Sequence, residues 1–174
     1  KNRNKTMENS HEKTAHLVPR VQVDLSKIHQ RVEGCRLTWL GHSTHLIQID
    51  GLNILTDPVF SKRASPVSYA GPKRYSAPAI SIEELPPIDF VVVSHNHYDH
   101  MDLTTAQKLG NDPKWIVPLK NARHLEEAKV TNTAELDWWS SIEDRGIRFT
   151  ATPAQHWSAR GLFDQFESLW AGFT

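Results

Sequence analysis

Four side chains able to bind a divalent metal fall within six residues: His95, His97, Asp99 and His100, in the run Ser94-His95-Asn96-His97-Tyr98-Asp99-His100-Met101-Asp102. Imidazole and carboxylate donors without thiolate suit zinc, with iron or manganese as alternatives. His95 and His97 are two apart, so in an extended segment they point the same way and can share one ion. Asp99 and His100 lie past the point where the chain turns and can serve another. Two ions about 3.5–4 Å apart can acidify a water between them and clamp both oxygens of a displacement. Packing does not account for so dense a set. Other chemistries have less support. There is no Gly-x-Ser-x-Gly elbow for a serine nucleophile and no glycine-rich phosphate loop. Cys35 is the single cysteine, which excludes an internal disulfide and a cysteine-rich zinc site; it is read as structural.

Elements must deliver these residues. The apolar run 90–93 is a buried strand that ends at Ser94. Upstream, 36–40, 45–49 and 52–56 read as a β-meander, with a bend at 41–44 and a hairpin turn at Asp50-Gly51. His45 is assigned to packing or surface. Six prolines between Pro58 and Pro87 exclude a long regular element there. That stretch carries Phe60, Tyr69 and Tyr75 among Lys62, Arg63, Lys73 and Arg74, and either lines a groove for an anionic substrate or packs on the body. Ser81-Ile82-Glu83-Glu84 is a capping box for one helical turn. Downstream, a helix is expected from Asp102 to a stop at Gly110, then a strand over 115–117, a helix over 121–128, and strands over 133–138 and 147–151. The last runs into Thr152-Pro153-Ala154-Gln155-His156-Trp157, a second place where a strand leads a histidine into a loop. Strands alternating with helices indicate an α/β fold.

Lys plus Arg and Asp plus Glu number 20 each, so there is no basic field for nucleic acid and no acidic tail. At 174 residues the length suits one domain. Residues 1–35 read as a polar N-terminal arm whose His11, His16 and His29 are surface residues, and 36–174 as the folded part. No apolar run reaches membrane-spanning length. The chain opens on Lys1 rather than Met, so something upstream is expected to have been removed, trimmed or left unrecorded, which leaves room for a targeting segment.

The run His95-Asn96-His97-Tyr98-Asp99-His100 matches the His-x-His-x-Asp-His motif, and the chain resembles the metallo-β-lactamase superfamily. Within it the chain is similar to the branch of N-acylphosphatidylethanolamine-hydrolysing phospholipase D and its bacterial relatives. Trp39-Leu40-Gly41-His42-Ser43-Thr44, Ile54-Leu55-Thr56-Asp57-Pro58-Val59-Phe60-Ser61, Gly71-Pro72-Lys73-Arg74-Tyr75, Leu136-Asp137-Trp138-Trp139 and Pro153-Ala154-Gln155-His156-Trp157-Ser158 carry that likeness. The resemblance implies an αββα sandwich, of which this chain supplies the first αβ half. It implies that His95, His97 and His156 hold one zinc and that Asp99 and His100 contribute to a second. It implies that Asp57 supports the ligands and that His42 lies close to the metals. The family pattern continues with a Gly-Asp-Thr-like segment, whose Asp bridges the metals, and a later His. Neither precedes Thr174, so Asp164 being a poor substitute, the remaining ligands and the cover of the sheet are expected from a second chain or a continuation.

The expected function is a metal-dependent phosphodiesterase of phospholipase D type. It would use a metal-bound hydroxide on a phospholipid-like or other phosphodiester, with Asp99 and His100 catalytic and Lys73 and Arg74 contacting the anion. The alternatives are a lactone or small-ester hydrolase of the same superfamily and a non-catalytic zinc-containing fragment or interaction module. A cytoplasmic or membrane-peripheral location, peripheral membrane contact and homo-oligomerisation are compatible with these readings; nucleic acid is not an expected partner.

Overall fold

The computed structural model describes Pro19 and residues 21–174; His11 and His16, with most of the expected arm, lie outside the described residues. A short helix, α1 (Leu25–His29), comes first. Its N-cap Asp24 accepts a bond from Ser26 N–H, and its Ile28 is buried. Gln48 Nε2 donates to Ile28 O at 2.9 Å and pins the helix to the sheet. Helix α1 leaves no periodic signal in the sequence, because it buries one apolar residue in a polar window. His29 is exposed, with Nε2 3.0 Å from Glu84 O.

Strands β1 (Cys35–Gly41), β2 (Thr44–Ile49) and β3 (Leu52–Thr56) form the antiparallel meander, and β4 (Phe90–Val92) extends it in parallel. The β2–β3 hairpin turns on Asp50 and Gly51, at φ 46° and 81°, the positive values that an Asp-Gly turn accommodates. Parallel neighbours need crossovers. Helix α2 (Leu103–Leu109) leads to β5 (Lys114–Pro118) and α3 (Ala122–Glu127) to β6 (Thr133–Leu136), completing the order β1-β2-β3-β4-β5-β6. Asp102 caps α2 by accepting from Thr104 N–H, and Gly110 ends it at φ 64°. Asp102 also accepts from Ser61 N–H at 2.9 Å and so anchors the proline-rich stretch. The capping box at 81–84 forms, with Ser81 N–H donating to Glu84 at 2.7 Å, but it closes a turn rather than a helix.

A second, antiparallel sheet of β7 (Ser141–Asp144), β8 (Ile147–Thr152) and β9 (Gly172–Phe173) packs on the first. Side chains alternate across a strand, and the large sheet is apolar on both faces. Leu55, Val91, Val93, Trp115 and Val117 meet Ala106, Leu125 and Ile28 on the helical side. Ile54, Phe90, Val92 and Ile116 meet Phe149, Ala151 and Ala171 of the small-sheet side. The result is helices, sheet and sheet, three layers of an αββα arrangement. The expectation that this chain leaves its sheet face bare is therefore corrected: its own β7–β9 cover the β3–β6 part. The uncovered part is at β1, where Leu37 and Trp39 are 63% and 60% exposed. Among the described residues no helix is long and apolar enough to cross a membrane.

Candidate metal centre

The parallel strands β3 and β4 run side by side, Thr56 opposite Val92, so their carboxyl ends open at the same edge. Ligands gather outside such strand ends because loops there are free of sheet pairing. Asp57 follows β3, and Ser94 and His95 follow β4. Asp57 stands at φ 38°, and His42, in the β1–β2 turn, at φ 49°. Left-handed backbone at a residue with a Cβ is uncommon and concentrates at functional sites.

Two groups form. In the first, His95, His97 and His156 bring ligating atoms within 4.8 Å of one another. His95 Nε2 is 3.0 Å from His97 Nδ1 and 2.9 Å from His156 Nε2. A tetrahedral ion with bonds of about 2.0–2.1 Å separates its ligand atoms by roughly 3.3 Å, so the three nitrogens are spaced for one cation. In the second, His42 Nε2 lies 3.1 Å from Asp99 Oδ2, and His100 Nε2 lies 3.7 Å from the same oxygen. The groups adjoin: the His95 and His100 ring centroids are 4.1 Å apart. Ligand counting from the sequence left the second group with two donors; the fold adds His42 as a third.

Asp57 organises both groups. It is buried and accepts from Ser94 N–H at 2.7 Å and from Ser94 Oγ at 2.8 Å. Its Oδ2 is 2.8 Å from His100 Nδ1. Ser94 Oγ is also 2.8 Å from His95 Nδ1. With the serine proton directed to Asp57, the serine oxygen is left to accept from His95 Nδ1–H. The Nε2 lone pairs of His95 and His100 then face their groups, and carboxylate support of this kind fixes tautomer and ring angle. No residue pattern marks Ser94 for this role; the one signal in the sequence is its position between the strand end and the first histidine.

Charge in the site follows from burial and neighbours. Burial, then the facing imidazoles of His100, His156 and His97, pushes His95 down to about 3. Burial and His156 lower His97 in the same way. Burial raises Asp99, but His100 and the His42 hydrogen bond outweigh it and hold the carboxyl below its usual range. Burial opposes protonation of His100, yet the Asp57 hydrogen bond and charge win and raise it. At neutral pH the first group therefore offers the neutral imidazoles of His95 and His97, and the second carries an anionic carboxylate, a donor set that fits divalent metal.

These shifts give the metal-free protein a stability optimum. His95 stays neutral in the fold down to about 3 but protonates near 6.5 when unfolded. Between these values the unfolded chain binds the extra proton, so stability falls as pH falls through that window. His97 and Asp99 act in the same direction. The raised value of His100 does the opposite: its contribution is complete below the unfolded value and is lost as pH rises through the folded one. Thermal melts in chelator should give a higher midpoint near pH 6.5 than near pH 5; equal midpoints would contradict the buried neutral imidazoles.

The Beta-lactamase superfamily domain matches residues 52–174. The chain belongs to this superfamily. It is 42% identical over 152 residues to N-acyl-phosphatidylethanolamine-hydrolyzing phospholipase D 1 of Caenorhabditis elegans, covering 80% of this chain and 43% of that protein. It is 32% identical over 123 residues to a metal-dependent hydrolase of Methanopyrus kandleri, covering 70% of this chain and 47% of the relative. The chain thus spans less than half the length of either. The structure of a metallo hydrolase from Ignicoccus hospitalis superposes with a TM-score of 0.55 at 22% identity, over 80% of this chain and 54% of that one, a likeness of fold.

The His-x-His-x-Asp-His run supplies four of the six residues in the two groups; His156 joins them from the loop after β8 and His42 from the β1–β2 turn. His45, by contrast, is half-buried, with Nδ1 3.2 Å from Ser43 O. Arg74 is tied to the body by its own loop: Nη1 donates to Val59 O at 2.5 Å and Nε to Ser76 O at 3.1 Å. Lys73 is exposed and stands opposite Arg63 in an isolated β-bridge. Asp164, set aside as a metal ligand from the sequence, accepts from Arg160 and Gly161 N–H groups and closes its own loop. The Trp157 ring, next to His156 in sequence, stands edge-on to His97 with centroids 4.5 Å apart.

Asp57→Asn tests the support role. The change keeps the shape but removes the charge and an acceptor shared by Ser94 and His100. Metal affinity at the second group is expected to fall by about 10–100-fold, measured by competition against a chelating indicator, with the fold retained by circular dichroism. Unchanged affinity would show that Asp57 is only structural.

Proposed function

We propose that this chain carries the metal-binding part of a hydrolase that cleaves a phosphodiester, with a phospholipid as the substrate class. The observation that carries the reading is the pair of adjoining three-donor groups at one sheet edge, His95, His97 and His156 beside His42, Asp99 and His100. The 42% identity to a phospholipase D acting on N-acyl-phosphatidylethanolamine supports the substrate class. Zinc is the metal the donor set favours, with iron and manganese as alternatives.

Divalent metal in these groups supplies Lewis acidity toward phosphoryl oxygens and an acidified water at neutral pH. The side chains prepare for it. His95 and His97 are held neutral by burial, so their lone pairs are free at physiological pH. Asp99 places a negative charge between His42 and His100. Asp57 orients His100 through Nδ1. Trp157 sets an apolar ring edge-on against His97. In this reading Asp99 and His100 border the reacting atoms, and Lys73 with Arg74 lies toward the anionic head group. Further polypeptide, in the same chain or a second one, completes the ligand set and covers Leu37 and Trp39. The substrate places the working protein at a membrane surface.

Metal analysis of the purified full-length protein, together with turnover of N-acyl-phosphatidylethanolamine and of bis(p-nitrophenyl) phosphate, tests this. Bound transition metal and phosphodiester hydrolysis abolished by chelation are expected. Turnover of lactones or carboxylic esters in place of phosphodiesters would move the substrate class to small esters. Bound zinc without turnover would favour a non-catalytic module, and absence of any transition metal would overturn the proposal.

A further inference from the structure

The two segments that build the first group are far apart in sequence, and His156 is exposed in a long irregular loop. Something other than the imidazoles must hold that loop against the 95–101 run. Arg160, four residues beyond His156, is placed to do so. Its Nη1 donates to Asn96 O at 2.7 Å and to Met101 O at 2.8 Å. These carbonyls bracket the turn that carries His97, Asp99 and His100, so one nitrogen ties both of its ends. Between them, the Tyr98 ring lies under the guanidinium, with Cζ 4.2 Å from the ring centroid. Tyr98 Oη donates back to Arg160 O at 2.7 Å. The tie runs both ways: the Arg160 side chain holds the main chain on either side of Tyr98, and the Tyr98 side chain holds the main chain of Arg160. Asp164 completes it from behind, accepting from Arg160 N–H at 3.1 and 3.0 Å and from Gly161 N–H at 2.7 Å.

We propose that Arg160 and Tyr98 are positioning residues, a clamp that sets the distance between the His95–His97 run and His156. The proposal rests on the metal-centre reading above. The residue types suit the task. A guanidinium is a rigid planar fork whose donors keep fixed directions, whereas a lysine ammonium on a flexible stem orders fewer contacts. Two carbonyl acceptors and an aromatic face compensate the half-buried charge. Ligands need such support because a displacement of a fraction of an ångström already weakens a metal site. No sequence signal marked the pair: Tyr98 occupies an unspecified position of the motif, and Arg160 lies beyond it.

Cobalt titration of the metal-free full-length protein, followed by its visible ligand-field absorption, tests the clamp. His156→Ala identifies the band that belongs to the first group. Arg160→Met is expected to weaken cobalt binding in that band by about 10–100-fold and to change its shape. Arg160→Lys should recover part of the affinity, a rescue that a purely space-filling role would not produce. Tyr98→Phe removes a single hydroxyl and should weaken the same band several-fold; it carries the test if Arg160→Met does not stay folded. Arg148→Met, on the exposed part of β8, serves as the unaffected control. Wild-type uptake with unchanged affinity and band shape in the Arg160 and Tyr98 variants overturns the clamp alone. A wild-type protein that takes up no cobalt overturns the metal-centre reading and the clamp with it.

Discussion

His97→Ala should lower phosphodiester turnover of the full-length protein by about three orders of magnitude or more, equivalent to roughly 4 kcal/mol of transition-state stabilisation. The size follows from where His97 stands. Its Nδ1 faces His95 Nε2 at 3.0 Å, and its Nε2 is buried with no hydrogen-bond partner among the described residues. With the proton on Nε2, the Nδ1 lone pair is directed into the group and is replaced by nothing when the ring is cut away. Three imidazoles become two, below the three protein ligands that catalytic zinc sites use. Kinetics with excess metal, beside metal content of the same preparation, check the prediction. Retained turnover with metal bound would move the first group away from catalysis.

The largest expected effect on stability belongs to Phe90→Ala. Phe90 is fully buried between the two sheets, its ring 4.9 Å from that of Phe149. The Arg145 guanidinium lies over the Phe90 ring, 4.1 Å from the centroid, held there by bonds of 2.7 Å to the Asp89 carboxylate and carbonyl. Removing the ring deletes the contact that joins β4 to β8 and leaves a cavity in a layer with little freedom to collapse. The expected loss is about 3–5 kcal/mol, seen as a midpoint lower by roughly 10 °C in thermal unfolding. Leu162→Ala, at a side chain 91% exposed, should change stability by less than about 0.5 kcal/mol. Similar midpoints for the two variants would mean that the sheets are not held together through Phe90. The effect reaches the metal centre as well, because β4 runs directly into Ser94 and His95.

Elements with a local cause were legible from the chain. The meander announced itself through alternation and the Asp-Gly turn, and α2 through Asp102 and Gly110 at its ends. The run 90–93 stood out because a strand buried on both faces is apolar without interruption. Elements lacking a local signal were not legible. Helix α1 depends on one isoleucine meeting the sheet, and β7 on exposed alternate residues that look like a turn-rich connection. Strand β9 is two residues long and exists only because β8 lies beside it.

The same division runs through the site. The sequence by itself determined the donor chemistry, since His95, His97, Asp99 and His100 crowd into six residues for which packing has no use. Through the family resemblance it also pointed to His156, which the fold brings within ligating distance of His95 and His97. Only the tertiary structure decided that His42 makes the second group one of three donors. It alone made Asp57 and Ser94 a shared support for both groups and Arg160 the tie across the ligand run. The physical reason is distance along the chain. A cluster of ligands is a property of neighbouring residues, whereas a hydrogen bond between Arg160 and the carbonyls of Asn96 and Met101 exists only once β4, β8 and the loop after them have packed.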